Sequence, residues 1–434
     1  MKDKIVVFWY RRDLRLEDNH ALFMALSQEL PVLPIFIFDK DILKRFPSAE
    51  NKAVSLIYQS VLDLNSSLKE YNSSVAVFHD SVENVFDFLL DKYDVIEVFA
   101  NEDYESGGMN RDKKVSQLLN NRNIRFSLFQ DHLIFKPGDI LKKDGSPYTV
   151  FTPFSKVWKQ ELEKFSISIY PSEKLLSKFY KRQDVRMPEM DELGYVLQTV
   201  SVKFGISRET LESYHDTRDF PFMENGTSGI SQFLRFGLVS VRQVVMLAKV
   251  VDEKFLNELI WREFFMHILW HFPHVEQNSF RSKYDALEWS LDEVVFDRWC
   301  RGETGFSMVD AGMRQLNETG LMHGRVRMLT SSFLVKHLQI DWRWGEAYFA
   351  QKLLDYELSS NNGNWQWAAG CGCDAAPYFR FFNPEIQQQK FDPKFDYVKK
   401  WVPEFQSPSY LNSRIVDLKI AKEKTMLMYK KALQ

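Results

Sequence analysis

A change of hydrophobic rhythm constrains this chain's fold more than any other feature of its sequence. Up to about residue 130, short apolar runs at 4–9, 32–38, 74–79, 95–100 and 125–130 have strand length and strand composition. Between them, 51–70, 81–92 and 111–121 carry apolar residues at helical spacing. Strands that alternate with helices predict a doubly wound, Rossmann-like parallel sheet, so residues 1–130 read as an α/β domain. No G-x-G-x-x-G follows the first run, and a dinucleotide site of that kind is not expected there. Residues 131–200, punctuated by KPGDILKKDGSPY and by Pro153, Pro171 and Pro188, read as a connector. Beyond residue 200 the strand signal stops. Segments 228–236, 240–251, 253–270, 306–319, 324–338, 344–354 and 415–432 keep the helical period, which predicts an all-α domain over 201–434.

Charge and composition narrow the class of function. The net charge of -3 offers no general attraction to a polyanion, so any nucleic-acid site has to be local. The opening apolar run, 5–10, is closed by Arg11, Arg12 and Asp13, too short for a signal peptide or a membrane span. A soluble, cytoplasmic protein with no membrane partner is expected. Cys300, Cys371 and Cys373 cannot all pair, and Cys371-Gly-Cys373 has no second pair of ligands, so buried thiols and no metal site are expected. Aromatic residues make up 15% of the chain, and most of them have a core to fill before any other role is considered.

Three stretches carry chemistry. Asp355, Glu357, Asn361, Asn362, Trp365 and Trp367 fall within thirteen residues. Each alone has a plain reading: acids on a solvated face, asparagines at a turn, indoles in a core. Upstream, Tyr214 and RDFP (218–221) lead into GTSGIS (226–231), where Thr227 and Ser228 open an apolar-periodic segment. Hydroxyls and free N–H groups at a helix start suit an anion such as a pyrophosphate, though an ordinary N-cap is the commoner explanation. In NELIWREFF (257–265), Glu258, Trp261 and Arg262 share one helix face, and carboxylate, indole and guanidinium together suit a nucleotide through hydrogen bonding, stacking and phosphate pairing.

Taken in order, FWYRRDLRLEDN, FTPF, RDFP, TSGIS, LRFG, WREF, TGFSMVDAGMRQLNETGLMH, DWRWGEAYF, NNGNWQWAAG and FNPEIQQQKFDP resemble the photolyase and cryptochrome family, most of all bacterial class I photolyases of cyclobutane pyrimidine dimers. The resemblance covers nearly the whole chain. It implies that FAD binds in a folded form within the helical domain. Tyr214 and the run Thr227, Ser228, Gly229, Ile230 and Ser231 would hold its phosphates, with Phe255 packing where relatives often carry Trp. Asp355, Tyr356 and Glu357 would line the ribose and isoalloxazine side, Arg327 would pair with Asp355, and Asn361 would face flavin N5. An amide there can donate or accept without bringing a titrating charge.

By the same resemblance, Trp365, Trp342 and Trp289 form a chain that photoreduces the flavin from inside outward, and the partner is DNA containing pyrimidine dimers. Glu258, Trp261, Arg325, Met328 and Trp367 would receive the dimer, with Arg218 on the DNA backbone. Photolyases are among the enzymes that flip their target out of the stack at a cost of a few kcal/mol, about 1–3 kcal/mol of which stacking on each aromatic ring returns. In blue light the reduced cofactor, FADH⁻, would lend an electron to the dimer, the ring would open, and the electron would return. The family habit is a monomer.

Two departures bear on function. Where repair enzymes of this class read Met-His-Asn-Arg, this chain reads Met322-His323-Gly324-Arg325, which removes an amide expected at the flipped base. The folate-binding Asn-Glu and Cys-Lys of folate-type relatives fall on Gly107-Gly108 and Glu276-Gln277, so the sequence does not support a folate antenna and leaves another antenna, or none, open. The rival reading is a cryptochrome, a light sensor without repair activity. Gly324 favours it, whereas Glu258, Trp261, Met328 and Trp367 favour repair. Repair of (6-4) photoproducts is disfavoured, because that branch carries a second His after His323.

Overall fold

The computed structural model describes residues 2–182, 186–200, 206 and 208–434. By internal contacts the chain divides into two units, Met1–Lys136 with Glu161–Val202 and Ile230–Leu247, and Pro137–Gln160 with Lys203–Gly229 and Ala248–Gln434.

The first unit is built on five parallel strands, β1 (Lys4–Tyr10), β2 (Val32–Asp39), β3 (Ala76–Asp80), β4 (Asp94–Asn101) and β5 (Arg125–Phe129), in the order β3-β2-β1-β4-β5. β1 lies at the centre, with Val6 opposite Val32 of β2 and Val7 opposite Val98 of β4. After Lys4 its run IVVFWY is apolar throughout because both faces are covered: Val6, Phe8 and Tyr10 enter one core, and Ile5, Val7 and Trp9 the other. Helices Lys52–Leu68 and Val82–Lys92 begin where Asn51 and Ser81 accept from the backbone N–H of the third helical residue, Val54 and Asn84. Ser106–Asn120 follows β4, and Asn19 caps the helix His20–Leu26. That last helix has only seven residues, too few to show a period in the sequence.

The polar motif after β1 closes this unit. Asp131, wholly buried, accepts from Arg15 Nη2 at 2.7 and 2.8 Å and from Arg242 Nη2 at 2.9 Å, and Arg242 Nε also reaches both oxygens of Asp18 at 3.1 Å. Burial alone would raise the Asp131 carboxyl, but the two guanidiniums overcome it and hold the group well below the usual carboxylate range.

The second unit is helical. Glu253–His271, Glu293–Arg301, Ser307–Thr319, Gly324–His337, Trp342–Lys352, Leu358–Ala369 and Leu418–Leu433 are its longer helices, and most of them contribute to one aromatic-rich core. Three expectations are refined. Within 131–200, Phe151–Lys164 is a regular helix. The segment expected to be helical from 228 starts only at Ser231 and ends at Arg235. Leu358–Ala369 is a helix that sequence periodicity does not mark, and Glu293–Arg301, whose Val295, Phe296, Trp299 and Cys300 follow a helical period, is a further helix beyond those expected. Among the described residues, no helix is long and apolar enough to cross a membrane, and no group of three or more His, Cys, Asp or Glu side chains is placed to hold a metal ion. Cys300, Cys371 and Cys373 are buried free thiols, each pushed up to about 12 by burial.

Candidate active site

The site grows out of the segment Asp355–Glu357 and the helix that follows it. Arg327 Nη2 reaches both oxygens of Asp355, at 2.8 and 3.1 Å, so the expected pair forms. Arg262 lies against Glu357, with its Nε 3.0 Å from Oε2 and its Nη2 3.1 Å from Oε1. This pairs Arg262 with an acid that the resemblance puts on the cofactor side, although its sequence position beside Trp261 suggested a nucleotide phosphate. Tyr214 is buried and meets Phe255 edge-on at 5.2 Å; burial, reinforced by Glu258, pushes its phenol well above the ordinary value.

Asn361 has a defined orientation. Its Nδ2 donates to the Glu346 backbone carbonyl at 3.1 Å and to Glu346 Oε1 at 2.9 Å. A carbonyl can only accept, so the NH₂ end is fixed toward Glu346 and Oδ1 points elsewhere. No donor among the described residues reaches that Oδ1. Burial raises the Glu346 carboxyl, while Asn361 and Tyr356 bond to it and work the other way.

Of the three tryptophans, Trp365 and Trp342 are 2% and 1% exposed, and Trp289 is half-buried against Tyr429 at 6.2 Å. Two rings meet Trp365 edge-on, Phe349 at 5.0 Å and Trp299 at 6.1 Å, the latter a wholly buried indole that sequence reasoning did not single out. Gly345 makes room for Trp365, since a Cβ there would lie 2.1 Å from the edge of its ring.

A second cluster adjoins Tyr214. Arg218 lies over the Tyr214 ring at 5.4 Å and donates to Glu258 Oε1 at 2.5 Å. Phe151 stacks flat on Trp261, 3.7 Å between centroids and 4° from parallel. Arg325 donates to Asp219 at 2.6 Å, approaches the Met328 sulfur at 3.7 Å and lies over Phe391 at 4.5 Å. Trp367 stacks with Phe382 at 6.3 Å. Gly324 opens the helix Gly324–His337, and a Cβ there would meet nothing within 4 Å. Beside it, His323 Nδ1 accepts from Arg325 N at 3.1 Å, and burial holds the ring down to about 4, so at neutral pH its Nε2 carries the proton.

The expected phosphate stretch differs from its sequence reading. Thr227 and Ser228 do not cap a helix: Gly229 takes a positive φ of 58°, the helix starts at Ser231, and its N-cap, Ile230, makes no side-chain hydrogen bond. Thr227, Ser228 and Gly229 belong to the second unit, and Ile230 and Ser231 to the first.

Residues 255–431 match the family model for the FAD binding domain of DNA photolyase, and residues 6–173 match the model for DNA photolyase. The fold and these matches define a flavoprotein with an α/β unit and a helical unit. The deoxyribodipyrimidine photo-lyase of Vibrio cholerae serotype O1 is 36% identical, covering 98% of this chain and 99% of the relative. A bacterial class III photolyase from Agrobacterium tumefaciens matches with a TM-score of 0.85 at 30% identity, covering 100% of this chain and 98% of that one. An archaeal photolyase from Sulfolobus tokodaii, solved with two FAD molecules, matches with a TM-score of 0.82 at 35% identity, covering 98% and 100%. The chain belongs to the DNA photolyase family, and its cofactor is FAD. Its residues fit that group: Asn361 Oδ1 and the buried Ser359 Oγ lack partners among the described residues, as at a site that a polar cofactor completes.

Proposed function

We propose that this protein repairs cyclobutane pyrimidine dimers in DNA with blue light. The observation that carries the reading is the Tyr214–Arg218–Glu258 contact, in which one guanidinium joins a residue assigned to FAD to a residue assigned to the lesion. Tyr214, Arg327 with Asp355, Arg262 with Glu357, and Asn361 would hold the cofactor, and Asn361 would present its oxygen to the N5 position as an acceptor. When bound and reduced, FAD supplies the excited electron that opens the cyclobutane ring and takes it back afterwards.

The chain's own groups do the rest. Glu258, with its side chain partly exposed, accepts from base N–H groups of a flipped dimer, and Trp261 and Trp367 stack on it, at about 1–3 kcal/mol per base. Arg218 and Arg325 neutralise neighbouring phosphates. Trp365 gives up an electron first and is refilled from Trp342 and then Trp289, so that the vacancy moves outward while electrons move inward to keep the cofactor reduced.

The test is to illuminate the purified, reduced protein in blue light with an oligonucleotide carrying one thymine dimer, and to follow the return of thymine absorbance against a dark control. Light-dependent recovery supports repair. A flavin that photoreduces while the dimer stays intact would favour the second reading, a cryptochrome-type light sensor, to which Gly324 lends support. The open space at Gly324 also defines a variant. Gly324→Asn is expected to tighten dimer binding by roughly 1–2 kcal/mol, about five- to thirtyfold, through the restored amide, as read by titration in the dark.

A further inference from the structure

Lys336 stands in the middle of FLVKHL, in the last turn of the helix Gly324–His337, and is 1% exposed. Among the described residues no carboxylate pairs with it. Its ammonium donates to the backbone carbonyls of Arg380 at 2.9 Å and Pro377 at 3.4 Å. Those two carbonyls bracket a turn, since Arg380 N also donates to Pro377 O at 2.9 Å. Burial, reinforced by the Arg380 charge and opposed by Cys371, pushes the amine down to about 8. A buried, uncompensated charge costs stability, and an apolar side chain of similar length would pack there at least as well. Residues that break a local rule in this way are found mostly at functional positions.

The segment Lys336 grips joins two parts of the site. At one end, Asp374 Oδ2 accepts from the backbone N of Phe151 at 3.0 Å, and Phe151 is the ring stacked on Trp261. At the other end, Phe382 stacks on Trp367. We infer that Lys336 is a positioning residue for lesion binding: by clamping the turn 377–380, it sets the segment 374–382 and so the two aromatic walls, Phe151–Trp261 and Phe382–Trp367. The inference rests on the reading that Trp261 and Trp367 receive the dimer.

The experiment measures, for wild type, Lys336→Met and Lys336→Arg, the dark affinity for a duplex with one thymine dimer and for the undamaged duplex, the thermal midpoint, and the yield of repair at saturating enzyme. Lys336→Met is expected to keep or raise the thermal midpoint, since it removes a buried charge, yet to bind the dimer about tenfold more weakly, equivalent to about 1.4 kcal/mol. Its affinity for undamaged duplex and its repair yield once bound are expected to hold. Lys336→Arg, which keeps the donors, is expected to bind the dimer more tightly than Lys336→Met. Unchanged dimer affinity in Lys336→Met would overturn the inference; so would a parallel fall in thermal midpoint and in affinity for both duplexes, which marks a scaffold residue. A wild-type protein that does not prefer the dimer at all would sink the lesion reading itself, and the role of Lys336 with it.

Discussion

Trp365→Phe is expected to abolish light-driven reduction of the bound flavin while leaving repair by chemically reduced enzyme intact. The benzene ring occupies most of the indole's volume between Trp299 and Phe349, so the core loses only about 1–3 kcal/mol and the fold survives. What disappears is an oxidisable ring at a position that is 2% exposed and next to the segment proposed to hold the flavin. Two measurements separate the roles: the bleaching of oxidised flavin under blue light with a thiol donor, and dimer repair after dithionite reduction. Normal photobleaching in Trp365→Phe would show that electrons enter by another route, and Trp299, in edge contact with Trp365, would then be the ring to replace next. Loss of both activities would instead place Trp365 at the lesion.

Asp131→Asn should be among the most damaging single changes in the first unit. It keeps the shape but leaves Arg15 and Arg242 buried and facing a neutral amide, and breaking a buried pair from one side costs about 3–5 kcal/mol. For a unit of this size that lowers the thermal midpoint by on the order of 10 °C. The pH dependence gives a second check. The carboxyl is held well below the usual range in the folded state, so its contribution is complete above the ordinary value, about 3.9, and is lost as the pH falls below it. Unfolding curves of the wild type should therefore weaken steeply on the acid side of pH 4. Asp131→Asn should show a shallower acid limb, and an identical limb would mean that other carboxylates set acid stability.

The α/β unit could be read from the sequence because its strands are buried on both faces, which leaves unbroken apolar runs such as IVVFWY. The helix Leu358–Ala369 could not. Its sequence, LSSNNGNWQWAA, has no apolar stripe because its polar side chains are buried too. Asn362 and Gln366 both donate to the Val275 carbonyl, and Gln366 accepts from Phe280 N, so amides do the packing that periodicity expects of leucines. The acids and tryptophans around this helix were visible as a motif, yet apart from Arg327 with Asp355, which the family resemblance supplied, their partners were not. Glu346 reads as a solvated acid until Asn361, fifteen residues on, is seen to bond to it. Lys336 hides within an apolar run, and its meaning comes from carbonyls more than forty residues away. Side-chain to backbone bonds of this reach leave no local signature in a sequence.

The close approach at Gly345 bears on how the chain can change over generations. A Cβ at 345 would overlap the Trp365 ring and also come within 2.6 Å of Leu334, so the helix Trp342–Lys352 admits no larger residue while that indole is in place. A lineage that gave up the indole for a smaller ring would lift most of the restriction, and alanine could then settle at 345 with only the tip of Leu334 left to shift. From that moment the way back would be blocked, because restoring tryptophan would require glycine to return first. Glycine at 345 and tryptophan at 365 are thus inherited as one character, and a sequence that has lost the first has also lost its easy path to the second.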